Sequence, residues 1–360
     1  MGARGAATLV LRVDPERPDP EAVRKAARIL REGGLVAFPT ETVYGLGAVA
    51  SKPRAVMRIF EVKRRPPDNP LILHVASVEQ LFEVAREVPQ QALKLVERFW
   101  PGPLTLVLPK SEKVIREVTG GLDKVAVRMP AHPVALALIR EVGEPIAAPS
   151  ANLSGRPSPT TAQHVLEDLG GLIEAVLDAG ETLHGLESTI VDLTSDPPIL
   201  LRPGALPLEA VEEALGRRVW VPDFARGLGE ADRALAPGTR YRHYAPRAQL
   251  VVVEAPDYSD LRPLASTVRR LVEEARGLGV CILCTEETEG LYEGLPAVLV
   301  KLGSRREIFT VARNLFKVLR EVDALGCELV IAEGFEERGL GLAVMNRLRK
   351  ASGFQIVRAS

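Results

Sequence analysis

Several features that mark other classes of protein are scarce in this sequence of 360 residues. It has three cysteines, all in the last third of the chain, which are too few for a disulfide scaffold. The formal net charge is −1, so no overall field favours nucleic acid or a membrane surface. No apolar run approaches the roughly 20 residues of a membrane span. The first residues are followed by acidic and proline-rich sequence, not by an apolar signal region, and we therefore expect a cytoplasmic protein.

Two of the cysteines, Cys281 and Cys284, form a C-x-x-C pattern of the kind that serves metal binding or redox chemistry elsewhere. They lie in the run 279–284, which is typical of a buried strand, where residues three apart point to opposite faces. Their sulfurs should not converge, and no second pair completes a zinc site. We expect both to pack in the core as free thiols.

Helical and strand patterns alternate along the chain. Residues 20–31 and 208–215 have apolar residues at helical spacing, and the helical pattern over 78–99 is interrupted at Pro89. Such alternation predicts an α/β protein with a twisted open sheet and helices outside it. The pattern is lost over residues 219–246, which gather proline, glycine and arginine and predict a linker.

A second α/β unit is predicted after the linker. Its strands and helices alternate in a way that suggests a small parallel, Rossmann-like sheet. It has no G-x-G-x-x-G motif, so we predict no dinucleotide there. The predicted organisation is a larger α/β domain over 1–218, a linker over 219–246 and a smaller accessory domain over 247–360.

Four dense polar segments lie at the boundaries of predicted elements: residues 38–47, 63–74, 147–158 and 187–204. The segment 147–158 holds three serines, an asparagine and an arginine just after a strand-like run. Loops of this kind, with free backbone N–H groups, hold anionic ligands in α/β proteins. Taken singly, each has a plainer interpretation: a polar turn for 147–158, or a solvated helix end for the basic residues 63–65.

Taken together, these segments resemble the threonylcarbamoyl-adenylate synthases, which have a YrdC-like domain. The matching residues follow the family's order over about the first 210 positions: Pro39-Thr-Glu-Thr-Val-Tyr-Gly-Leu-Gly47, Lys63/Arg65/Asn69 with His74, Pro101-Gly-Pro-Leu-Thr105, Val127-Arg-Met-Pro130, Ala148-Pro-Ser-Ala-Asn152 with Ser154-Gly155, Glu187-Ser-Thr189 and Arg202-Pro-Gly204. The linker segment Pro237–Pro246 and the C-terminal part are similar to the long, two-domain form of the family.

The resemblance implies a YrdC-like mixed sheet for the first domain and a specific reaction. Members of the family combine L-threonine, bicarbonate and ATP into threonylcarbamoyl-adenylate and release pyrophosphate, for the threonylcarbamoyl modification of adenosine 37 in tRNAs. The implied enzyme is a nucleotidyltransferase that needs no nucleophile of its own, since the work is positioning and charge neutralisation. Magnesium is expected on the ATP phosphates, without a dedicated protein site.

The resemblance also implies partners and binding residues. A separate transferase is expected to pass the threonylcarbamoyl group to tRNA; a weak direct contact with RNA stays open, and no membrane partner is expected. The residues implied for threonine are Thr42, His74, Arg128, Ala148 and Ser188. The residues implied for ATP are Lys63, Arg65, Asn69, Lys124, Ser150, Ser158 and Arg202.

One of these residues departs from the family pattern, and two others have plainer structural interpretations. Lys124 stands where the family commonly has threonine, so any contact that needs a hydroxyl is lost there. His74 could instead be a satisfied core histidine, and Ser188 a plain strand-start residue. In the linker, the Tyr241–Tyr244 cluster favours a lid over a passive tether, with Tyr241, His243 or both facing the ligand.

An RNA-binding module and a carbamoyltransferase are the two alternative functions. An RNA-binding module is disfavoured by the balanced charge and by the lack of basic stripes interleaved with aromatic residues. A carbamoyltransferase that embeds a YrdC-like domain would also carry paired C-x-x-C zinc modules and an acylphosphatase-like domain, and this sequence shows neither.

Overall fold

The computed structural model describes residues 6–241 and 243–360, so Arg242 of the Tyr241–Tyr244 cluster lies outside the described residues. The chain forms two compact units. The first comprises the described chain up to Ser154, Ser158–Pro222 and Ala231–Arg240. The second comprises Gly155–Pro157, Asp223–Glu230 and the described part of Tyr241–Ser360. The predicted linker therefore contributes residues to both units, and its function as a lid stays a prediction.

Among the described residues of the first unit, ten strands form one sheet of mixed direction. Across the sheet they are β1 (Leu9–Arg12), β8 (Ala175–Asp178), β2 (Val36–Phe38), β3 (Gly45–Val49), β7 (Ile146–Ala148), β4 (Ile72–His74), β6 (Lys124–Arg128), β5 (Leu104–Pro109), β9 (Thr189–Asp192) and β10 (Ile199–Arg202). Parallel pairs such as β4–β6 lie beside antiparallel pairs such as β4–β7. The predicted mixed α/β architecture is confirmed.

The helices of the first unit follow the periodicity of the sequence. They are α1 (Pro20–Arg31), α2 (Pro53–Lys63), α3 (Val78–Val84), α4 (Gln90–Phe99), α5 (Arg116–Thr119), α6 (Pro133–Val142), α7 (Ala162–Leu169) and α8 (Leu208–Leu215). α1 begins where the Asp19 carboxylate accepts a hydrogen bond from the Glu21 N–H. Its apolar face packs with α6 in a core that also includes Phe38 of β2. Within the described residues, no helix is both long and apolar enough to cross a membrane.

In the part of the second unit that the structure describes, five parallel strands form a smaller sheet. Their order is β13 (Val298–Gly303), β12 (Val280–Thr285), β14 (Leu329–Glu333), β11 (Gln249–Glu254) and β15 (Ile356–Arg358). The helices are α9 (Asp223–Arg226), α10 (Arg262–Glu274), α11 (Ile308–Ala324) and α12 (Leu340–Ala351), with a 3₁₀ turn at Glu289–Tyr292. The parallel, Rossmann-like C-terminal domain predicted from the sequence is confirmed.

The expectation of free thiols is wrong for one of the two C-x-x-C cysteines. Cys281 of β12 forms a disulfide with Cys327, which precedes β14, across 46 residues of sequence and a Cα–Cα distance of 5.9 Å. Cys284 is a buried free thiol, as predicted. Burial raises its pKa to about 12, with the charges of Glu333 and Glu289 acting in the same direction. The two sulfurs of the motif do not converge, because positions 281 and 284 of a strand face opposite ways.

Candidate functional site

The sheet register of the first unit places three of the predicted threonine residues, His74, Arg128 and Ala148, on adjacent strands. β4 runs parallel to β6, and this pairing sets His74 opposite Arg128. On the other side of β4, antiparallel β7 sets Ala148 opposite Ile72. Residues from three separate stretches of sequence therefore meet on adjacent strands.

Arg128 lies at the centre of this group and is 3% exposed. Its Nη1 donates to the Thr42 hydroxyl at 3.0 Å, and its Nε donates to the Gly102 carbonyl at 3.2 Å. Its Nη2 forms an ion pair with the buried carboxylate of Glu41. Burial lowers the pKa of Arg128, and the neighbouring Glu41 charge opposes that shift. A buried guanidinium with several fixed partners is well suited to recognising a carboxylate.

The surroundings of His74 favour its neutral form. Burial, reinforced by the charge of Arg128, lowers its pKa from 6.5 to about 3. A hydrogen bond of 3.1 Å joins its Nδ1 to the Ile72 carbonyl, and the ring also hydrogen-bonds the main chain of Ile146. The ring meets the Phe38 ring edge to face, with centroids 5.7 Å apart. Neutral His74 thus lies opposite Arg128 without adding a second positive charge.

This pKa gives a first prediction on pH dependence. Because the pKa of His74 is lowered in the folded state, the unfolded chain binds a proton that the folded chain does not. The free energy of unfolding should therefore rise with pH between about 3 and 6.5, by roughly 2–3 kcal/mol from pH ~4.5 to ~7 for this group alone. Denaturant unfolding of the wild type and His74→Gln at several pH values measures this contribution. Equal pH slopes in the two proteins would contradict it.

A second group joins Ser188 to Arg202. The Ser188 hydroxyl lies 2.7 Å from the Thr105 hydroxyl, and both side chains are buried. Arg202 donates to the Ser188 carbonyl from Nε and Nη2, at 3.1 and 2.9 Å. Its Nη1 lies 3.4 Å from the carbonyl oxygen of Pro237, in the linker segment that packs with the first unit. A residue predicted for threonine and one predicted for ATP are therefore in direct contact.

Lys63 and Arg65 hold the loops on which other predicted ATP residues lie. The Lys63 ammonium donates to the main-chain carbonyls of Ser150 and Asn152. Arg65 donates to the carbonyls of Asn69 and Pro70, at 3.3 and 2.7 Å. Both cations are buried, so they order main-chain segments in addition to carrying positive charge.

Asn69 carries a feature that points to a ligand. Its side-chain oxygen is buried and has no hydrogen-bond partner within the described residues. A buried amide oxygen without a donor costs about 1–3 kcal/mol, so a donor supplied by a ligand would be favourable.

The remaining predicted ATP residues, Ser158 and Lys124, have protein partners. The Ser158 hydroxyl donates to the buried Glu187 carboxylate at 2.5 Å. The Lys124 ammonium donates to Asp192 at 3.0 Å, and Asp192 is itself buried. Lys124 is the residue that departs from the family pattern, and its positive charge is neutralised by a carboxylate of the same unit.

The structure adds polar residues that the sequence interpretation did not assign. Glu41, Thr105, Glu187 and Asp192 are buried, and each contacts a predicted site residue. Glu41 and Glu187 lie within motifs of the family, directly before Thr42 and Ser188. Their position in the sequence could therefore have marked them as site residues. Nothing in the local sequence pairs Asp192 with Lys124, because 68 positions separate them.

The predicted lid residues Tyr241 and His243 belong to the second unit. There Tyr244 stacks on Phe316 with ring centroids 5.3 Å apart, and the guanidinium of Arg347 lies 5.6 Å from the Tyr244 ring centroid. Tyr244 is therefore held by partners within its own unit.

Comparison with known proteins identifies the family. Residues 28–204 match the family model Sua5_yciO_yrdC, described as "Telomere recombination", and residues 206–353 match the model "Threonylcarbamoyl-AMP synthase, C-terminal domain". The threonylcarbamoyl-AMP synthase of Pyrococcus abyssi is 53% identical over 98% of this chain and 99% of its own length. The chain belongs to the threonylcarbamoyl-AMP synthase family.

Further relatives agree with this assignment. The threonylcarbamoyl-AMP synthase of Bacillus subtilis is 46% identical over 94% of this chain and 95% of its own length. The crystal structure described as P. abyssi Sua5 complexed with L-threonine matches with a TM-score of 0.90 and 52% identity. It covers 98% of this chain and 100% of that one. The family predicted from the order of the motifs, in its long two-domain form, is confirmed.

Proposed function

We propose that this member of the threonylcarbamoyl-AMP synthase family joins L-threonine, bicarbonate and ATP into threonylcarbamoyl-AMP and pyrophosphate. One observation carries the proposal: the buried Arg128, held by Glu41 and Thr42 beside neutral His74. The P. abyssi relative, whose fold matches nearly the whole of this chain, was crystallised in complex with L-threonine.

The threonine end of the site would be built on Arg128. A guanidinium has five N–H donors, and three of those on Arg128 have the partners described above. The other two can pair with the threonine carboxylate. Neutral His74 would line the threonine end without adding charge, and the Ser188 hydroxyl would meet a polar group of the substrate. Ala148 would line the pocket without a polar contact.

The ATP end would use the segments that Lys63 and Arg65 order. Ser150 and Asn69 lie on those segments, and the unpartnered oxygen of Asn69 would accept a hydrogen bond from the nucleotide. Ser158, Lys124 and Arg202 complete the proposed ATP set, and Arg202 would pair with phosphate. Magnesium would arrive on the ATP phosphates.

These groups suit a reaction that needs positioning and not a protein nucleophile. The threonine amine attacks the bicarbonate carbon, and loss of water gives a carbamate. A carbamate oxygen then attacks the α-phosphorus, and pyrophosphate leaves. Fixed cations near the phosphates stabilise the charge that develops on the leaving group. Holding three substrates together removes most of the entropic cost of their encounter.

The test is pyrophosphate release measured with all three substrates and with each omitted in turn. Release should require threonine, bicarbonate and ATP together, and mass spectrometry should detect threonylcarbamoyl-AMP. Full release without threonine would overturn the proposal.

We also propose that the linker closes over the site, which gives a second prediction. The intermediate is a mixed anhydride, and exclusion of water protects such species. The segment Ala231–Arg240 packs with the first unit, and its Pro237 carbonyl contacts Arg202. Phosphate binding at Arg202 would therefore change a contact that holds the linker. Trypsin cleavage between Arg226 and Arg247 should be slowed by ATP and threonine together, with Tyr241 or His243 facing the ligands.

Each ligand alone serves as the control for that experiment, and cleavage outside 226–247 should not change. Equal cleavage rates with and without both ligands would leave the linker as a tether only.

Downstream, a separate transferase would pass the threonylcarbamoyl group to adenosine 37 of tRNA. A role in tRNA modification would fit a cytoplasmic location for this protein. Any direct contact of this chain with RNA would be weak and local.

A further inference from the structure

Glu41 lies inside the proposed site, yet the reaction described above gives it no contact with a substrate. Its side chain is 5% exposed, and both carboxylate oxygens have partners within the first unit. One oxygen pairs with Arg128 Nη2, and the other accepts from the Ala131 N–H at 2.7 Å. A buried carboxylate with both oxygens committed to protein donors is a fixed element of the structure.

The loop that carries Glu41 is itself held in place. The Thr40 hydroxyl lies 2.8 Å from the Thr42 hydroxyl and donates to the Val43 carbonyl at 2.7 Å. The Glu41 carbonyl accepts from the His184 N–H at 2.8 Å, which ties the loop to a distant stretch of the chain. Because the loop is anchored, the position of the Glu41 carboxylate is determined before any ligand arrives.

The same loop presents two groups to one guanidinium. Arg128 meets Glu41 through Nη2 and Thr42 through Nη1, while Gly102 accepts from Nε. Contacts on three nitrogens of a planar group fix both its position and the orientation of its plane. A long arginine side chain without these contacts has several rotamers, and fixing it on binding costs free energy.

A plain stabilising role does not account for this arrangement. Taking both charges of a buried ion pair out of water commonly costs as much as their attraction returns. Electrostatics alone would also oppose the proposed ligand, since a carboxylate already next to Arg128 repels the carboxylate of threonine.

We propose that Glu41 is a positioning residue for threonine: it holds the Arg128 guanidinium so that the two remaining N–H groups face the substrate carboxylate. This inference rests on the proposed function. It predicts that removing the negative charge of Glu41 weakens threonine binding. If Glu41 only neutralised Arg128, removing its charge would instead strengthen threonine binding, because the repulsion between the two carboxylates would be lost.

The experiment compares Glu41→Gln with the wild type in the pyrophosphate-release assay. Glutamine keeps the size of the side chain, but its amide NH₂ cannot accept from Arg128 or Ala131. We expect the KM for threonine to rise about tenfold, in line with one lost charge-assisted bond, with the KM for ATP unchanged within about twofold. Glu32→Gln, at an exposed position of the same unit, is the matched control and should change neither.

A double variant separates positioning from general damage. Glu41→Gln combined with Arg128→Gln should be no worse for threonine than Arg128→Gln alone, because Glu41 acts only through Arg128. If Glu41→Gln melts below the assay temperature, Glu41→Asp keeps the charge but withdraws it by one methylene, and the same selective rise in the threonine KM is expected.

Three results would overturn the inference: a threonine KM that falls or stays unchanged in Glu41→Gln, equal rises in both KM values, or a double variant that multiplies the two single effects. Failure of the proposed function is a separate outcome, because it would show in the wild type as pyrophosphate release that does not require threonine.

Discussion

Replacing Arg128 with alanine is expected to raise the KM for threonine by about 10- to 150-fold and to change the KM for ATP far less. The reason is the loss of charge-assisted hydrogen bonds to the substrate carboxylate, each worth about 1.5–3 kcal/mol. Arg65→Ala should show the reverse selectivity, since Arg65 orders the segment with Asn69 and is one of the proposed ATP residues. Initial rates of pyrophosphate release, with each substrate varied in turn, measure both constants.

The structure refines the expectation for Arg202. Because Arg202 donates to the carbonyl of Ser188, Arg202→Ala should affect ATP most but threonine as well. Arg24→Ala, which removes an exposed arginine paired with Glu21 in α1, is the matched control and should alter neither KM.

Stability has to be followed in the same variants. Arg128→Ala leaves the Glu41 carboxylate buried without its ion-pair partner, which typically costs about 3–5 kcal/mol. Thermal unfolding identifies any variant that is not folded under assay conditions. Equal loss of affinity for both substrates in all three folded variants would contradict the division into a threonine end and an ATP end.

Valine is expected to be a far poorer substrate than threonine, by up to about 10⁴-fold in kcat/KM. Valine has nearly the shape of threonine but lacks the hydroxyl. A site built to hydrogen-bond that hydroxyl leaves buried polar groups unpaired when it is absent. Thr42, Thr105 and Ser188 are all 1% exposed or less, so water cannot readily replace the missing group.

The measurement is kcat/KM for threonine, serine and valine under one set of conditions. Serine, which lacks only the methyl group, should be intermediate. Valine should also be tested as a competitor of threonine, since weak inhibition shows that it is rejected on binding and not at a later step. Comparable kcat/KM values for valine and threonine would contradict a hydroxyl-reading site.

The sequence predicted well what depends on neighbouring residues. Helix α8 has the predicted bounds of Leu208–Leu215, and the helical pattern over 78–99 is interrupted around Pro89, as expected from a residue that cannot donate in a helix. Strand β3 over Gly45–Val49 was not predicted, because a short run with two glycines inside a polar motif has no strand signal of its own. It is a strand because β2 and β7 pair with it on both sides.

The family could be recognised from the sequence because many short motifs occur in the family's order, and that resemblance also supplied the candidate site residues. The contacts among those residues could not be recognised in this way. Glu41 and Arg128 are 87 positions apart, and Cys281 and Cys327 are 46 apart. Periodicity and spacing describe what a segment can form, whereas contacts over such separations depend on which strands pair and in which register.

The sequence by itself therefore determined the α/β fold class and the family, and the substrate-binding residues that it predicts stay predictions. Tertiary structure alone decided that Arg128 is held by Glu41, that Arg202 touches Ser188, and that Lys63 orders the loop of Ser150. The physical reason is burial. Once a charged or polar side chain leaves water it must find a partner, and sheet pairing between distant segments determines which partners are within reach.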